Sequence, residues 1–131
     1  MILGFDPGKD KCGLAVMGRD KKVCYHQVVL SEAAISTIQS LCEQFPIELL
    51  VMGDQTTSKS WKQKLTQSLS PEIEIVRVDE RFSSLEAKER YWEMYPPTGF
   101  SRLIPQGMRT PPRPVDDIVA IVLIQRYLNK S

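Results

Sequence analysis

Short apolar runs separated by polar turns predict five β-strands in this chain. The opening run ends in Asp6-Pro7-Gly8, turn residues that leave a carboxylate where a buried strand stops. Charged turns separate the next two runs, which predicts a three-stranded meander. The predicted strands are the run that ends at Asp6, then Cys12–Gly18, Val23–Leu30, Ile47–Gly53 and Ile73–Val78.

Two helices are predicted from apolar residues spaced three or four positions apart. Ser31 is the expected N-cap of the first helix, Glu32–Phe45, and a proline ends it. The second helix is indicated by Trp61, Leu65 and Leu69. The stretch around these three residues is rich in Ser, Thr, Lys and Gln, so we expect this helix to be more exposed to solvent.

A third helix is predicted after the fifth strand. Ser83, with Glu86 three residues later, has the spacing of a capping box, in which each residue bonds a free backbone N–H of the helix start. Leu85, Trp92 and Tyr95 suit the helix that follows, and a pair of prolines ends it.

The segment Pro96–Pro114 differs in composition from the rest of the chain. It holds six of the nine prolines and three arginines, but no acidic residue. A loop of this length inside a compact domain is usually functional or disordered. Its apolar residues favour a loop that packs, namely Phe100, Leu103, Ile104 and Met108. The following run, Val115–Leu128, is longer than a strand, begins with acids and ends in basic residues, which predicts a buried helix.

Composition is typical of a single globular domain. The 131 residues are 42% hydrophobic and 25% charged, which fits one domain, 1–131, that buries roughly two thirds of its unfolded surface. The apolar runs stay short of the ~20 residues of a membrane span. The chain opens with a strand and not a leader, so we expect a cytoplasmic protein without a membrane partner.

Cys12, Cys24 and Cys42 have apolar neighbours and are predicted to be reduced core thiols.

The formal net charge is only +1, so any nucleic-acid partner must be met by local patches. Two patches exist, because Gln55–Pro71 and Pro96–Pro114 contain basic residues and no acidic ones. We predict that they contact phosphates rather than bases, since neither has the side chains of groove readout. The candidate nucleic-acid contacts are Lys9, Lys59, Lys62, Arg81, Arg102, Arg109 and Arg113.

Three acidic residues occupy similar places on different elements. Asp6 closes the first strand, Glu80 follows the fifth, and Asp116 opens the last helix. If the first strand is central, these side chains converge at one end of the sheet, where open α/β sheets place their sites. Carboxylates at such short distances from one another repel and require a cation. Oxygen ligands without His or Cys suit Mg²⁺ or Mn²⁺, and two such ions ~3.5–4 Å apart would clamp a phosphodiester.

Three stretches, in order along the chain, resemble the YqgF (RuvX) family, a branch of the RuvC-like nucleases with a ribonuclease H-like fold. They are Ile2-Leu-Gly-Phe-Asp-Pro-Gly with Gly13-Leu-Ala-Val, then Val78-Asp-Glu-Arg-Phe-Ser-Ser-Leu-Glu-Ala, and finally Val115-Asp-Asp with Ala120-Ile-Val-Leu-Ile-Gln-Arg-Tyr-Leu. The resemblance extends over nearly the whole chain, and its Asp-Glu-Arg motif is fairly specific.

The resemblance implies an α/β fold with a five-stranded mixed sheet in the order 3-2-1-4-5, a divalent metal, and cleavage of structured nucleic acid. Holliday junction resolution and processing of ribosomal RNA precursors are the roles usually proposed for the family. Asp6, Glu80 and Asp116 match the positions of its catalytic, metal-binding acids. Because adjacent side chains of a helix point about 100° apart, this register leaves Asp117 to interact with the helix dipole.

The chain departs from the family pattern in three places. Where the family has Gly-Leu-Pro and a Gly-containing loop after strand four, this chain has Gly53-Asp54-Gln55-Thr56-Thr57. The substrate-facing loop therefore differs, and Asp54 is a candidate additional metal ligand. RuvC-type enzymes often have a second acid three residues after the helix Asp, where this chain has Val119. The proline-rich segment is also longer than is usual for the family, which suggests a partner peculiar to this branch.

Other polar and aromatic residues have structural interpretations. His26 lies in a predicted edge strand without a matching partner, and we interpret it as structural rather than catalytic. Trp61, Trp92 and Tyr95 have rings that can stack on bases. At helical spacing beside leucines, we interpret them as core residues.

Three functions are compatible with these residues. The first is a metal-dependent endonuclease that acts on branched DNA or structured RNA as a monomer or homodimer. The alternative is a nucleic-acid-binding or protein-binding module of the same fold without useful turnover, which the altered loop at Asp54 keeps open. The third is a phosphotransferase, since actin-like kinases also open with an Asp-Gly turn on this fold. Those kinases need two such domains around ATP, and this chain has room for one.

Overall fold

A five-stranded mixed sheet organises the part of the chain that the computed structural model describes, residues 1–54, 57–105 and 111–130. The strands lie in the order β3-β2-β1-β4-β5, with β1 antiparallel to β2 and parallel to β4. The predicted sheet topology is therefore confirmed, and the strand that ends in Asp6 is central. The strands are β1 (Ile2–Asp6), β2 (Lys11–Met17), β3 (Val23–Leu30), β4 (Leu49–Gly53) and β5 (Glu74–Val78).

Four helices within the described residues cover both faces of this sheet: α1 (Ala34–Gln44), α2 (Ser58–Ser68), α3 (Ser83–Met94) and α4 (Asp116–Lys130). One core contains residues of α1 and α2, and the other contains residues of α3 and α4. Short 3₁₀ turns precede α1 and follow α3, at Ser31–Ala33 and Gly99–Leu103. None of the helices in this part of the chain has the length and apolarity that crossing a membrane requires.

Helices cover strand β1 on both faces, so its alternating side chains enter the two cores in turn. Leu3 and Phe5 belong to the core under α1 and α2, whereas Ile2 belongs to the core under α3 and α4. Trp61 of α2 packs edge to face on Phe5, with 5.1 Å between ring centroids. The interpretation of Trp61 as a core residue is confirmed.

The last helix lies unusually close to the sheet, because two glycines face it. A Cβ atom at Gly4 of β1 would lie 2.4 Å from the carbonyl oxygen of Ala120, and one at Gly13 of β2 would lie 1.8 Å from that of Asp116. Both distances are shorter than any van der Waals contact. The backbone of α4 therefore rests directly on the two central strands. The prediction of a buried helix is confirmed by its run of buried apolar residues, Ile118 to Ile124.

The predicted N-cap of α1 is wrong. Ser31 lies in the 3₁₀ turn before the helix, and α1 begins at Ala34 without a side-chain cap. The Ser31 hydroxyl instead donates a hydrogen bond of 2.8 Å to the carbonyl of Gly8. Ser31 therefore fastens the turn that follows β1, and so supports the strand that ends in Asp6.

The predicted capping box of α3 is also wrong. The helix begins at Ser83, directly after Phe82, which has a left-handed backbone conformation (φ 62°) and makes no side-chain cap. Glu86 accepts a hydrogen bond from Arg126 of α4 instead of reaching back to the helix start. The carboxylate therefore joins two helices, a contact that local spacing does not reveal.

The prediction of core thiols holds for two of the three cysteines. Cys12 is buried and Cys42 is partly buried, but Cys24 is exposed on the edge strand β3. All three are free thiols, as expected. The error at Cys24 arises because an edge strand covered on one face points alternate residues into solvent.

The proline-rich segment packs less than its apolar residues predict. Leu103 is 80% exposed and Ile104 is 40% exposed. Met108 and the side chain of Phe100 lie outside the described residues. The apolar side chains of Leu103 and Ile104 therefore lie at the surface.

We expect Gly4→Ala and Gly13→Ala each to lower the free energy of unfolding by about 1–3 kcal/mol, because the new methyl group meets helix backbone that has no room to move. Gly18→Ala is the matched control, since its Cβ would meet only the flexible carboxylate of Asp20. Urea unfolding of the three variants checks this. Equal stability of all three would mean that α4 does not lie on the glycines.

Candidate active site

Asp6 lies at the end of the central strand and on the α4 face of the sheet, since it alternates with Ile2 and Gly4. Its antiparallel partner is Gly13. Because Gly13 carries no side chain, the first turn of α4 approaches until the Asp116 backbone lies on it. Asp116 and Asp6 are therefore brought to the same place by the missing side chain between them.

Glu80 reaches the same end of the sheet from the other side. Gly53 ends β4, one residue past Met52, the parallel partner of Phe5. A Cβ atom at Gly53 would lie 2.4 Å from the carboxylate of Glu80, so this side chain lies over Gly53. Arg126 of α4 donates a hydrogen bond of 2.7 Å to the carbonyl of Asp79, which fixes the segment that carries Glu80.

The three carboxyl groups share one electrostatic environment. The pKa of Asp6 is raised to about 7 by burial, by the charge of Asp116 and by that of Glu80, in decreasing order. Burial also raises the pKa of Glu80, with help from Asp54 and Asp79 and against the nearby Arg126. Burial and then the charge of Asp117 raise the pKa of Asp116, while Lys11 opposes them. Convergence of the three acids agrees with this coupling.

The donor set suits a hard divalent cation, but the side chains do not form a finished cage. Among the described residues, no group of three Asp, Glu, His or Cys side chains stands in a metal-binding arrangement. Repulsion between like charges keeps such carboxylates apart until a cation relieves it. All three donors are carboxylate oxygens, which Mg²⁺ and Mn²⁺ prefer. The residues therefore fit such an ion, provided that their side chains close around it.

Asp54 stands at the rim of this site. It follows β4 directly and is exposed, and its charge contributes to the raised pKa of Glu80. It is therefore close to Glu80 electrostatically, while Asp116 and Glu80 are the charges that act on Asp6. Its role as an additional ligand stays a prediction.

Asp117 has partners that the sequence did not indicate. Its side chain is 2% exposed. Oδ2 lies 2.6 Å from Nδ1 of His26, and Arg113 donates a hydrogen bond of 3.0 Å to Oδ1. His26 thus has a charged partner, contrary to the expectation that it had none, and its structural interpretation stays a prediction. Asp117 does more than interact with a helix dipole, since it joins α4, β3 and the segment before α4.

Arg113 is held by this cluster and by two tyrosines. Its guanidinium lies 5.5 Å from the ring centre of Tyr91 and 5.9 Å from that of Tyr95. The Tyr95 hydroxyl lies 3.4 Å from Nε2 of His26. Tyr95 is 42% exposed, so its interpretation as a core residue is wrong. Asp117 and Tyr95 are 91 and 69 positions from His26 in sequence, which is why periodicity did not reveal these contacts.

The other candidate nucleic-acid contacts surround the sheet. Lys9 is exposed in the turn after β1, Arg102 is exposed in the second 3₁₀ turn, and Lys59 and Lys62 are exposed on α2. Arg81 is exposed and forms an ion pair of 3.2 Å with Asp79. Arg109 lies outside the described residues.

Comparisons with known proteins agree with this geometry. The model of the RuvX family, described as Holliday junction resolvase, matches residues 1–130. A relative named "Putative pre-16S rRNA nuclease", from Azobacteroides pseudotrichonymphae genomovar. CFP2, is 30% identical over 139 residues, covering 97% of this chain and 94% of that protein. The structure of Thermus thermophilus RuvC is similar with a TM-score of 0.57 at 16% identity, covering 93% of this chain and 88% of that chain. The predicted ribonuclease H-like fold is confirmed.

We expect the metal-free protein to lose stability as pH rises from about 4 to above 7. Because the pKa of Asp6 is raised from 3.8 to about 7, the folded state binds the proton more tightly than the unfolded chain, and deprotonation favours unfolding. A shift of this size is worth at most about 4 kcal/mol. Asp6→Asn should flatten this decline, whereas Asp10→Asn, the loss of an exposed acid in the next turn, should not. Urea unfolding in chelator across this pH range measures the free energy of unfolding at each pH. A decline in Asp6→Asn as steep as that of the wild type would contradict the prediction.

Replacing Asp116 or Asp117 by Asn should distinguish the roles of these two acids in the metal-free protein. We expect Asp117→Asn to cost about 3 kcal/mol, because it leaves Arg113 and His26 without their buried partner. Asp116→Asn should change stability by less than about 1 kcal/mol or increase it, because repulsion is relieved. Both changes remove the same charge from the helix start, so each is the control for the other. Equal losses in thermal or urea unfolding would contradict the assignment.

Proposed function

The chain belongs to the RuvX family, and we propose that it is a divalent-metal-dependent nuclease that cleaves phosphodiester bonds in structured nucleic acid. The observation that supports this proposal is the electrostatic coupling of three carboxyl groups at one end of the sheet, since the charges of Asp116 and Glu80 both act on Asp6. Asp6 has its pKa raised to about 7 by burial and by the other two acids. A site with this much unbalanced negative charge is built to receive positive charge.

Asp6, Glu80 and Asp116 would hold Mg²⁺ or Mn²⁺ through their carboxylate oxygens. When bound, such an ion polarises a phosphoryl oxygen and lowers the pKa of a bound water. Asp6 supplies the ligand on the most rigid element, since its strand pairs on both sides. Arg126 keeps the segment of Glu80 in place, and the Asp117 cluster keeps the start of α4 in place. These residues act by positioning and do not touch the reacting atoms.

The substrate is proposed to be branched DNA or folded RNA. The family is described as Holliday junction resolvases, and the curated relative is named for pre-16S rRNA. Junction DNA and precursor RNA both present closely spaced phosphates. Exposed lysines and arginines can contact phosphates without reading the base sequence. Lys9, in the turn after β1, and Arg81, next to Glu80 in sequence, would supply such contacts at the acid end of the sheet.

A binding module without turnover is the second candidate. One observation favours it, namely that the three acids stand apart in the described residues and do not form a ready ligand cluster. In that case a cation would still stabilise the fold, but no cleavage would follow.

We expect the protein to cleave junction DNA or structured precursor RNA only with Mg²⁺ or Mn²⁺. Asp6→Asn, Glu80→Gln and Asp116→Asn should each lower the rate by at least about 100-fold, because each removes a ligand of the ion. Asp79→Asn is the matched control, since it removes a neighbouring carboxylate that pairs with Arg81. Cleavage of end-labelled substrates, with chelator as the blank, measures this.

Metal binding is checked separately by the melting temperature. Mn²⁺ should raise it for the wild type and for Asp79→Asn, and much less for Asp6→Asn, because the ion binds the folded state alone. A metal-dependent rise without cleavage of either substrate would support the binding module. Cleavage that survives in Asp6→Asn would overturn the assignment of the site.

A further inference from the structure

Helix α2 presents two different stripes. One faces the core through Trp61 and Leu65. The other carries polar side chains at positions i, i+3, i+4, i+7 and i+8, the spacing of one helix face. Its members are Lys59, Lys62, Gln63, Thr66 and Gln67. Four of the five can donate hydrogen bonds to a ligand, since the Thr66 hydroxyl already donates to the carbonyl of Lys62. Lys64 is not part of this donor stripe, because its ammonium group lies 4.9 Å from the ring centre of Trp61.

Arg77 of the edge strand β5 completes this surface. Its guanidinium donates a hydrogen bond of 3.3 Å to the hydroxyl of Ser58, the first residue of α2. Between the donor stripe and Arg77 lies an open cleft of about 520 Å³. Within the part of the chain that the structure describes, three cations, two carboxamides and a hydroxyl line it, and no carboxylate does.

The dimensions and chemistry of this cleft suit a phosphate backbone. From Lys59 to Gln67, a helix rises about 12 Å, which is the axial length of three or four base pairs of a duplex at about 3.4 Å each. Cations with amide and hydroxyl donors are the usual partners of phosphate oxygens. Among the described residues, no aromatic or aliphatic residue lines the cleft, whereas the anchors of protein–protein interfaces are usually packed in well-desolvated pockets.

This surface lies on the other side of the sheet from the acids. Side chains alternate along β5, so Arg77 and Val78 point to opposite faces, and Val78 belongs to the core under α3 and α4. Glu80, which lies over Gly53, is on the Val78 side. A nucleic acid can reach both places by passing over the β5 edge, where Arg77 lies. Two strand spacings and the length of the stripe together give a path of about 20 Å, on the order of six base pairs of a duplex arm.

We propose that the donor stripe of α2 and Arg77 bind the backbone of a nucleic-acid arm that extends from the cleavage site over the β5 edge. The inference rests on the proposed function, because it extends the same substrate. In this proposal, α2 provides the sequence-independent part of binding, and the acids at the end of the sheet carry out cleavage.

The test is the salt dependence of binding by the full chain in chelator, where no cleavage occurs. With a fluorescent four-way junction or stem-loop RNA, the double variant Lys59→Gln/Lys62→Gln should lower the log–log salt slope by about 1.4–1.8. Affinity should fall on the order of tenfold at about 0.1 M salt. Arg77→Gln should add a further loss of about 0.7–0.9 in slope.

Lys21→Gln/Lys22→Gln is the matched control, because it removes the same charge from the β2–β3 turn at the far end of the sheet. An unchanged slope in the α2 pair, or the same change in both pairs, would overturn the proposal. So would polyglutamate that competes at similar affinity and loses its binding in the α2 pair, since the surface would then serve an acidic protein. The result does not depend on turnover, so a protein that binds in this way but never cleaves would leave the inference standing.

Arm length gives a second readout. The wild type should bind substrates with arms of about ten nucleotides more tightly than those with about three. The α2 pair should bind both alike, because the long arm has lost its contacts. An equal preference for long arms in wild type and variant would contradict the path over the β5 edge.

Discussion

The close packing of α4 against the sheet is the constraint on which the rest of the site depends. Gly4 and Gly13 leave space that helix backbone fills, and Gly13 is also the residue opposite Asp6. A side chain there would lift the first turn of α4 and carry Asp116 away from Asp6. The distance between two catalytic candidates is thus set by a residue with no chemistry, through the steric exclusion that close packing imposes.

Adjacent acids at the start of α4 have opposite electrostatic surroundings. Asp117 is buried against an arginine and a histidine, so its charge is balanced within the protein. Asp116 is half buried, and its pKa is raised by burial and by Asp117, whereas Lys11 lowers it. One charge therefore holds the helix start in place while the next stays available to a ligand. Because a helix turns about 100° per residue, a single turn can supply both.

Much of the fold follows from the sequence because it depends on local periodicity. The five strands and the buried last helix are patterns of side-chain alternation and run length, as Ile47–Gly53 and Val115–Leu128 illustrate. The pairing of Asp117 with His26 was missed because 91 residues separate them. The caps failed for a related reason: Ser31 and Glu86 have local spacing that suits a cap, but tertiary partners compete for the same oxygen atoms and prevail.

A polyanion and a carboxylate centre repel each other, so the binding energy of such a substrate must come from elsewhere on the molecule. Asp54, Asp79 and Glu80 lie together at the acid end, where their charges act on one another. The cations on the α2 side lie on the opposite face of the sheet, and the cations that lower the pKa of the site acids are Arg126 and Lys11 instead. The near-zero net charge of +1 therefore conceals two separate regions of opposite sign. In the proposed function, this separation leaves the acids to a bound cation and the lysines to the phosphates of the substrate.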